Sequence, residues 1–279
     1  MTTPAVRDTW LVQLRISKAL KILAPALEAE GIPWLVVKGA ALAHILYADP
    51  AERPLADLDV RIRPVDYART KRALAQAGAT LLGEAPSYGN LVADVEGQMV
   101  DVETMLSAPR VTRLSVDDFL LRSRELTVWG GVRVRVPSTV DHALLLAANL
   151  VKDKLTLAAS WSYRDTRVIA DLPDFDASVF VARAFEARMP TIARIVAENF
   201  AAESPGWAAV HERLGPGPRP RTIRAYRWLA EGHPGSMAAR IMARIVTDDP
   251  GDRARALAIA GYWEVVHGRK RWGRRSPSA

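Results

Sequence analysis

The chain has 279 residues, 49% of them apolar, which is enough for one large or two medium domains with real cores and too apolar for a disordered chain. It contains no cysteine, which excludes disulfides and thiolate metal sites and fits a reducing cytoplasm. A formal net charge of +7 favours anionic partners such as nucleotides, RNA or acidic peptides, although an arginine-rich proteome accounts for the excess equally well.

The opening MTTPAVRDTW lacks a basic region followed by an apolar stretch, so no secretory leader is expected, and no apolar run reaches membrane-spanning length. Apolar side chains at Trp10, Leu11, Leu14, Leu20, Leu23 and Leu27 have helical spacing and predict a helix over 8–29, stopped at Gly31-Ile32-Pro33. Trp34–Val37 reads as a short buried strand, 40–47 as a helix broken by Asp49-Pro50, and Leu58–Ile62 as a second strand. Pro64 opens a helix over 65–76 that Gly78 ends. Strands follow at 80–82, 91–95 and 99–106, with Gly97 in a hairpin turn, and a further hairpin flanks Gly130-Gly131 with strands at 126–128 and 132–136.

After Pro137 the pattern changes. Ser138-Thr139-Val140-Asp141 resembles a capping box with Asp in place of Glu, and helix follows helix, with breaks at Pro173, Pro190, Pro205, 215–220, Pro234 and Pro250-Gly251. The reading is an α+β protein. Residues 1–137 form a mixed sheet with flanking helices, and residues 138–279 form an all-helical C-terminal domain ending in a basic tail, Gly268–Arg275. Charge runs at termini are usually solvated, and contact with an anion or nucleic acid is the alternative.

The stretch from Val36 to Val60 organises the chain. An apolar strand ends in Lys38-Gly39, a helix follows, and after Arg53-Pro54 a strand carries Asp57 and Asp59. Side chains alternate along a strand, so the two aspartates share a face about 7 Å apart while Leu58 and Val60 face the core. Paired carboxylates repel, and a divalent cation offsets that repulsion; hard Mg²⁺ prefers oxygen ligands. Gly39 lets the backbone approach a phosphate closely at a helix start, where free amide N–H groups favour an anion. Lys38 would be a point charge on a triphosphate and Arg53 a forked donor to its oxygens. Either could instead form a structural ion pair with the aspartates. Arg61 and Arg63 fall on the aspartates' face, as a basic wall or a solvated edge.

This order of parts resembles the DNA polymerase β-like nucleotidyltransferase superfamily. More narrowly, it resembles a bacterial uncharacterised nucleotidyltransferase family, with its Lys-Gly turn and Arg-Pro-x-x-Asp-x-Asp strand, here Lys38-Gly39 and Arg53 to Asp59. The motifs cover residues 34–105, and a weaker similarity runs to about 200. The resemblance implies a polymerase β-like fold and a third carboxylate on the strand of Met99-Val100-Asp101-Val102-Glu103, assigned to Asp101. It also implies Mg²⁺, or Mn²⁺ in its place, held by Asp57, Asp59 and Asp101. The narrower family often has histidine where this chain has Glu103, which leaves the role of that position open as a solvent-facing acid or an extra ligand.

Farther on, Lys154-Leu155, Arg164-Asp165 and Ala170-Asp171-Leu172 are loosely similar to a pattern of abortive-infection nucleotidyltransferase toxins. That likeness implies that Lys154 stabilises phosphate charge and that Asp165 orients the acceptor or acts as a base; ordinary helix-surface charges are the plain alternative. Asn149 and Lys152 lie nearby, and His142 reads as a structural histidine rather than a base. The expected activity is transfer of a nucleoside monophosphate from an NTP to an RNA or tRNA end, a small molecule or a peptide. A cytoplasmic location is expected, with no membrane partner. A catalytically silent nucleotide- or RNA-binding module, and a toxin held by an antitoxin partner, are the rival readings.

Overall fold

The computed structural model describes residues 4–86, 89–153, 155, 160–216, 219–234, 236–259 and 261, with side chains from Trp10 onward. Lys154 and the basic segment Gly268–Arg275 lie outside the described residues.

The first part runs α1 (Pro4–Ala29), β1 (Trp34–Val36), α2 (Lys38–Leu46), β2 (Leu58–Ile62), α3 (Tyr67–Gln76), β3 (Thr80–Ala85), β4 (Asn90–Val95), β5 (Gln98–Glu103), α4 (Val116–Leu121), β6 (Arg124–Val128) and β7 (Val132–Val136). Five strands form a mixed sheet in the order β1-β2-β5-β4-β3, and β6 and β7 pair separately as a hairpin. β1 runs antiparallel to β2, and β2 runs parallel to β5 after a crossover through α3, β3 and β4. β4 and β5 form a hairpin whose two-residue turn places both Glu96 and Gly97 at positive φ, the geometry that matches strand twist. The third site strand ends at Glu103, short of the expected 106, where its antiparallel partner β4 begins at Asn90 and offers no further residue to pair.

On β5, Gln98, Val100 and Val102 are buried while Met99, Asp101 and Glu103 are half-buried or exposed, so alternation sorts core from cleft. Val60, Val100 and Val102 pack with Ile16, Leu20, Leu23 and Leu27 of α1 in one apolar cluster. The outer turns of α1 depart from this: Trp10, Leu11 and Leu14 are exposed, so the expected apolar stripe reaches the core only from Ile16 on.

The second part is helical: α5 (Thr139–Lys152), α6 (Trp161–Ile169), α7 (Ala177–Glu186), α8 (Pro190–Phe200), α9 (Pro205–Leu214), α10 (Pro220–Gly232), α11 (Met237–Ile245) and a helix over 250–259. α5 is buried on every side from Thr139 to Val151, the mark of a central helix. It packs with α6, α7, α8 and α11. Its start shows why Asp stands at the capping-box position. Ser138 Oγ accepts the Asp141 N–H, while the fully buried Asp141 carboxylate accepts from Arg122, Arg183 and the Ser138 hydroxyl. A small cluster of Leu35, Val37, Leu106, Val116, Phe119 and Leu145 joins β1 to α5. That contact sets the helices against the face of the sheet that carries the acids. Among the described residues no helix is long and apolar enough to cross a membrane.

Candidate active site

Because β2 and β5 run parallel in register, Asp59 stands opposite Asp101 and Arg61 opposite Glu103. The carboxylates of Asp59, Asp101 and Glu103 each bring an oxygen within 4.8 Å of the others. Asp57 sits one residue before β2 and lines the same cleft as Asp59, Lys38, Gly39 and Arg53. The structure thus brings Glu103 into the tight trio and leaves Asp57 at its rim. Across the cleft, of about 170 Å³, stand Asn149 and Lys152 of α5 and Ser162 and Asp165 of α6.

The turn before α2 departs from the expected division of labour. Lys38, not Gly39, takes the left-handed backbone, with φ of 52°. Such a conformation costs a non-glycine residue roughly 1 kcal/mol or more. It aims the Lys38 ammonium at Asp59, with Nζ 2.5 Å from Oδ1. Gly39 is needed for space: a Cβ there would lie 2.7 Å from Arg53 Nη1 and 2.9 Å from Leu55 Cδ2.

Arg53 is the residue that crowds Gly39, and it reaches the helical part. Its Nε and Nη2 donate to Asp165 Oδ2 at 2.9 and 2.8 Å, and the Tyr47 hydroxyl donates to Asp165 Oδ1 at 2.7 Å. Asp165 is fully buried, so both its oxygens are committed to protein donors. The Tyr47 phenol is pushed well above its ordinary range by burial and by the carboxylate it faces. Arg53 is therefore paired with an aspartate of α6 rather than with Asp57 or Asp59.

The strand acids are less satisfied. Burial first, and then Glu103 and Asp59, push the Asp101 carboxyl up to about 6. Burial and Asp59 push Asp57 upward as well. Among the described residues, Lys38 pairs with Asp59, while Arg61 pairs with Glu103 and stands 3.8 Å from Asp59. Against these two cations the four carboxylates keep an excess of negative charge, which a divalent cation would offset. Clustered hard oxygens with an uncompensated charge fit Mg²⁺ or Mn²⁺ by donor chemistry.

Several neighbours escaped the sequence reading. Arg61, read there as a basic wall or a solvated edge, is 1% exposed and locks Glu103. Asn90 Nδ2 donates to Asp101 Oδ1. The buried Gln98 side chain donates to the Ala56 carbonyl and so fixes the approach to Asp57. For Asn90 and Gln98 the only signal was an amide at each end of a hairpin beside the third acid. His142 is fully buried, and burial lowers its imidazole to about 3; neither ring nitrogen has a partner among the described residues. It lies within the helical part, and it is not among the residues lining the cleft.

No curated protein matches the chain. Among solved structures it is similar to the antibiotic-resistance factor ANT(2″)-Ia in solution, at 15% identity over 62% of this chain and 92% of that one, with a TM-score of 0.45. It is similar to an antigenic nucleotidyltransferase-like protein from Paracoccidioides brasiliensis, at 16% identity over 72% of this chain and 92% of that one, TM-score 0.44. It is also similar to a tRNA nucleotidyltransferase complexed with a primer tRNA and an incoming ATP analogue, at 10% identity over 92% of this chain and 87% of that one, TM-score 0.28. Residues 3–201, well over half of the chain, match the family described as uncharacterised nucleotidyltransferases, and the chain is a nucleotidyltransferase belonging to that family.

Proposed function

We propose that this chain moves a nucleoside monophosphate from a metal-bound NTP to an acceptor hydroxyl and releases pyrophosphate. The observation that carries the reading is the carboxylate trio on paired strands, beside a cleft that also holds Lys38 and Gly39. Asp57, Asp59 and Asp101 would hold the metal, with Glu103 in reach as a further ligand. The ion supplies charge neutralisation at the transferred phosphate. Lys38 binds the triphosphate as a point charge, and the start of α2 at Gly39 presents backbone amides to it. The acceptor oxygen bonds to the α-phosphorus, the bond to the bridging oxygen breaks, and pyrophosphate leaves with the electron pair. The hydroxyl proton passes to a base beside the acceptor oxygen, a carboxylate of the trio that the metal leaves free or water.

In this reading Arg53 and Asp165 position rather than react. Asp165 accepts three hydrogen bonds from Arg53 and Tyr47, and the Arg53–Asp165 pair ties the Lys38–Gly39 turn to α6. Lys154 remains a phosphate contact by proposal. Residues 1–137 would be the catalytic unit and 138–279 the helical unit closing the cleft, in a cytoplasmic protein; control by an antitoxin partner belongs to the same proposal. One observation favours the silent-module reading: the Lys38 ammonium and the Arg61 guanidinium already neutralise part of the acid cluster.

The test incubates the protein with each labelled NTP, with and without Mg²⁺, together with total RNA, tobramycin or cell extract as acceptor sources. Metal-dependent transfer of label with pyrophosphate release is expected, and loss of both in Asp59→Asn. Metal-dependent NTP binding without transfer to any acceptor supports the silent module, and no NTP binding overturns both readings.

A further inference from the structure

A second pocket, of about 180 Å³, lies beside the cleft, with Arg61 and Glu103 on its sheet wall, Asn149 and Lys152 of α5 on another, and Arg244 of α11 on a third. It has the room of roughly six waters at ~30 Å³ each. Its lining is one-sided in chemistry. Arg61 Nε, Asn149 Nδ2 and Arg244 Nη1 are all buried N–H donors without a hydrogen-bond partner among the described residues. Asn149 is itself about nine-tenths buried. Lys152 adds a half-exposed ammonium, 3.9 Å from the Asp153 carboxylate. Glu103 is the one acidic side chain in the lining, and Arg61 already holds it. Buried donors are nearly always paired in native proteins, so three residues with orphaned donors around one pocket point to an acceptor-rich group that belongs between them. Cations on the same walls make that group an anion.

We infer that this pocket receives a phosphate group of the acceptor, so that the attacking hydroxyl belongs to a phosphate ester. The inference rests on the nucleotidyl-transfer reading for its direction. Asp59 lines the cleft on the Lys38–Gly39 side, Glu103 lines this pocket, and the trio to which both belong stands between. An in-line displacement puts attacking and leaving oxygens on opposite sides of the phosphorus. With the triphosphate at the turn, the attacking side faces this pocket. An amino sugar whose charges are all ammonium groups brings more donors to donors that already lack acceptors. A ribose 3′ end carrying its own phosphodiester, or a small sugar or glycerol phosphate, supplies the missing acceptor atoms.

Arg244 lines this pocket and not the nucleotide cleft, so it separates the two. The full-length protein is titrated by calorimetry with glycerol 3-phosphate, with a short RNA bearing a free 3′ hydroxyl, and with glucosamine. Each titration is run with and without saturating Mg²⁺ and a non-hydrolysable NTP. Binding of at least one phosphate ester to the NTP-saturated protein is expected. Arg244→Gln should weaken it at least tenfold and Arg244→Lys should largely restore it, with NTP affinity unchanged and melting curves showing both variants folded. Tighter binding of the RNA than of glycerol 3-phosphate marks a polymer end, and the reverse marks a small ester. Four results overturn the inference: no ester binding at all, affinity indifferent to Arg244, glucosamine binding as well as the esters, or competition by the NTP, which would assign the pocket to the nucleotide's own phosphates. Arg244-dependent ester binding in a protein that binds no NTP leaves the pocket standing and removes the nucleotide reading instead.

Discussion

The acid trio Asp59–Asp101–Glu103 on the sheet and the single Asp165 on α6 are built from the same chemistry and differ in how far they are satisfied. Asp165 is fully buried, and three donors from Arg53 and Tyr47 fill its two oxygens. The sheet acids have more negative charge than Lys38 and Arg61 can cancel, and Asp101 responds with a carboxyl raised to about 6. A buried acid that already accepts three hydrogen bonds acts as a tie, because removing one member of the pair strands the other. An unsaturated cluster is a charge looking for a partner, which is how physical chemistry marks a site.

The largest effect is expected where the tie is cut. Asp165→Asn leaves the Arg53 guanidinium buried beside a neutral amide and should destabilise the protein by about 3–5 kcal/mol in urea unfolding. Arg53→Met with Asp165→Leu, which removes both charges, should cost less than either single change. A single mutant as stable as the parent would mean that the tie is dispensable.

Asp59→Asn should behave in the opposite way. It relieves repulsion in the trio, and Lys38, about a quarter exposed, can turn to water. Stability should hold or rise, while Mg²⁺-dependent NTP affinity falls by more than roughly 100-fold, beyond the effect of losing an outer-sphere partner. If its unfolding curve instead tracks that of Asp165→Asn, the trio and Asp165 are not different in kind.

Lys38→Ala sharpens the contrast from the cation side. It should spare the fold and weaken NTP binding by ~2–3 kcal/mol, the scale of a charge-assisted hydrogen bond. NTP titration alongside melting curves reads both. Equal affinity would confine Lys38 to neutralising Asp59.

His142 extends the comparison to a buried titratable group with no partner among the described residues. Its folded value, lowered to about 3 by burial, lies below the ordinary 6.5. The unfolded chain therefore takes up a proton first as pH falls, and stability present at neutral pH is lost below 6.5. From pH 7 to pH 5 the loss from this residue is about 2 kcal/mol. Unfolding free energies of the parent and of His142→Leu at the two pH values measure it: the variant should lack this part of the acid sensitivity, and identical profiles would remove His142 from the account.

Alternation along β5 is legible in the sequence, since period two puts Val100 and Val102 on one face and Asp101 and Glu103 on the other, and the valines are the buried ones. The breaks at Gly97, Gly130-Gly131 and Pro137 likewise marked turns and the change from mixed structure to helices, because glycine and proline act through local backbone geometry. Which acids meet was not legible to the same degree. The sequence placed Asp57 beside Asp59 by spacing, but the parallel register of β2 against β5 decided that Glu103, not Asp57, completes the tight trio. Spacing within one strand is a local quantity, whereas register between strands 40 residues apart is set by the whole core.

The same division runs through the cations and the turn. Sequence alone determined that Lys38, Gly39 and Arg53 flank a strand–turn–helix unit. Only the tertiary structure decided that Arg53 pairs with Asp165, 112 residues on, that Arg61 is buried rather than solvated, and that Gly39 is required by the Arg53 and Leu55 side chains. The reason is that propensity, alternation and turn chemistry are written in neighbouring residues, whereas the partner of a charge, and hence whether it ties the fold or waits for a ligand, depends on which distant segment the packing brings within a few ångströms.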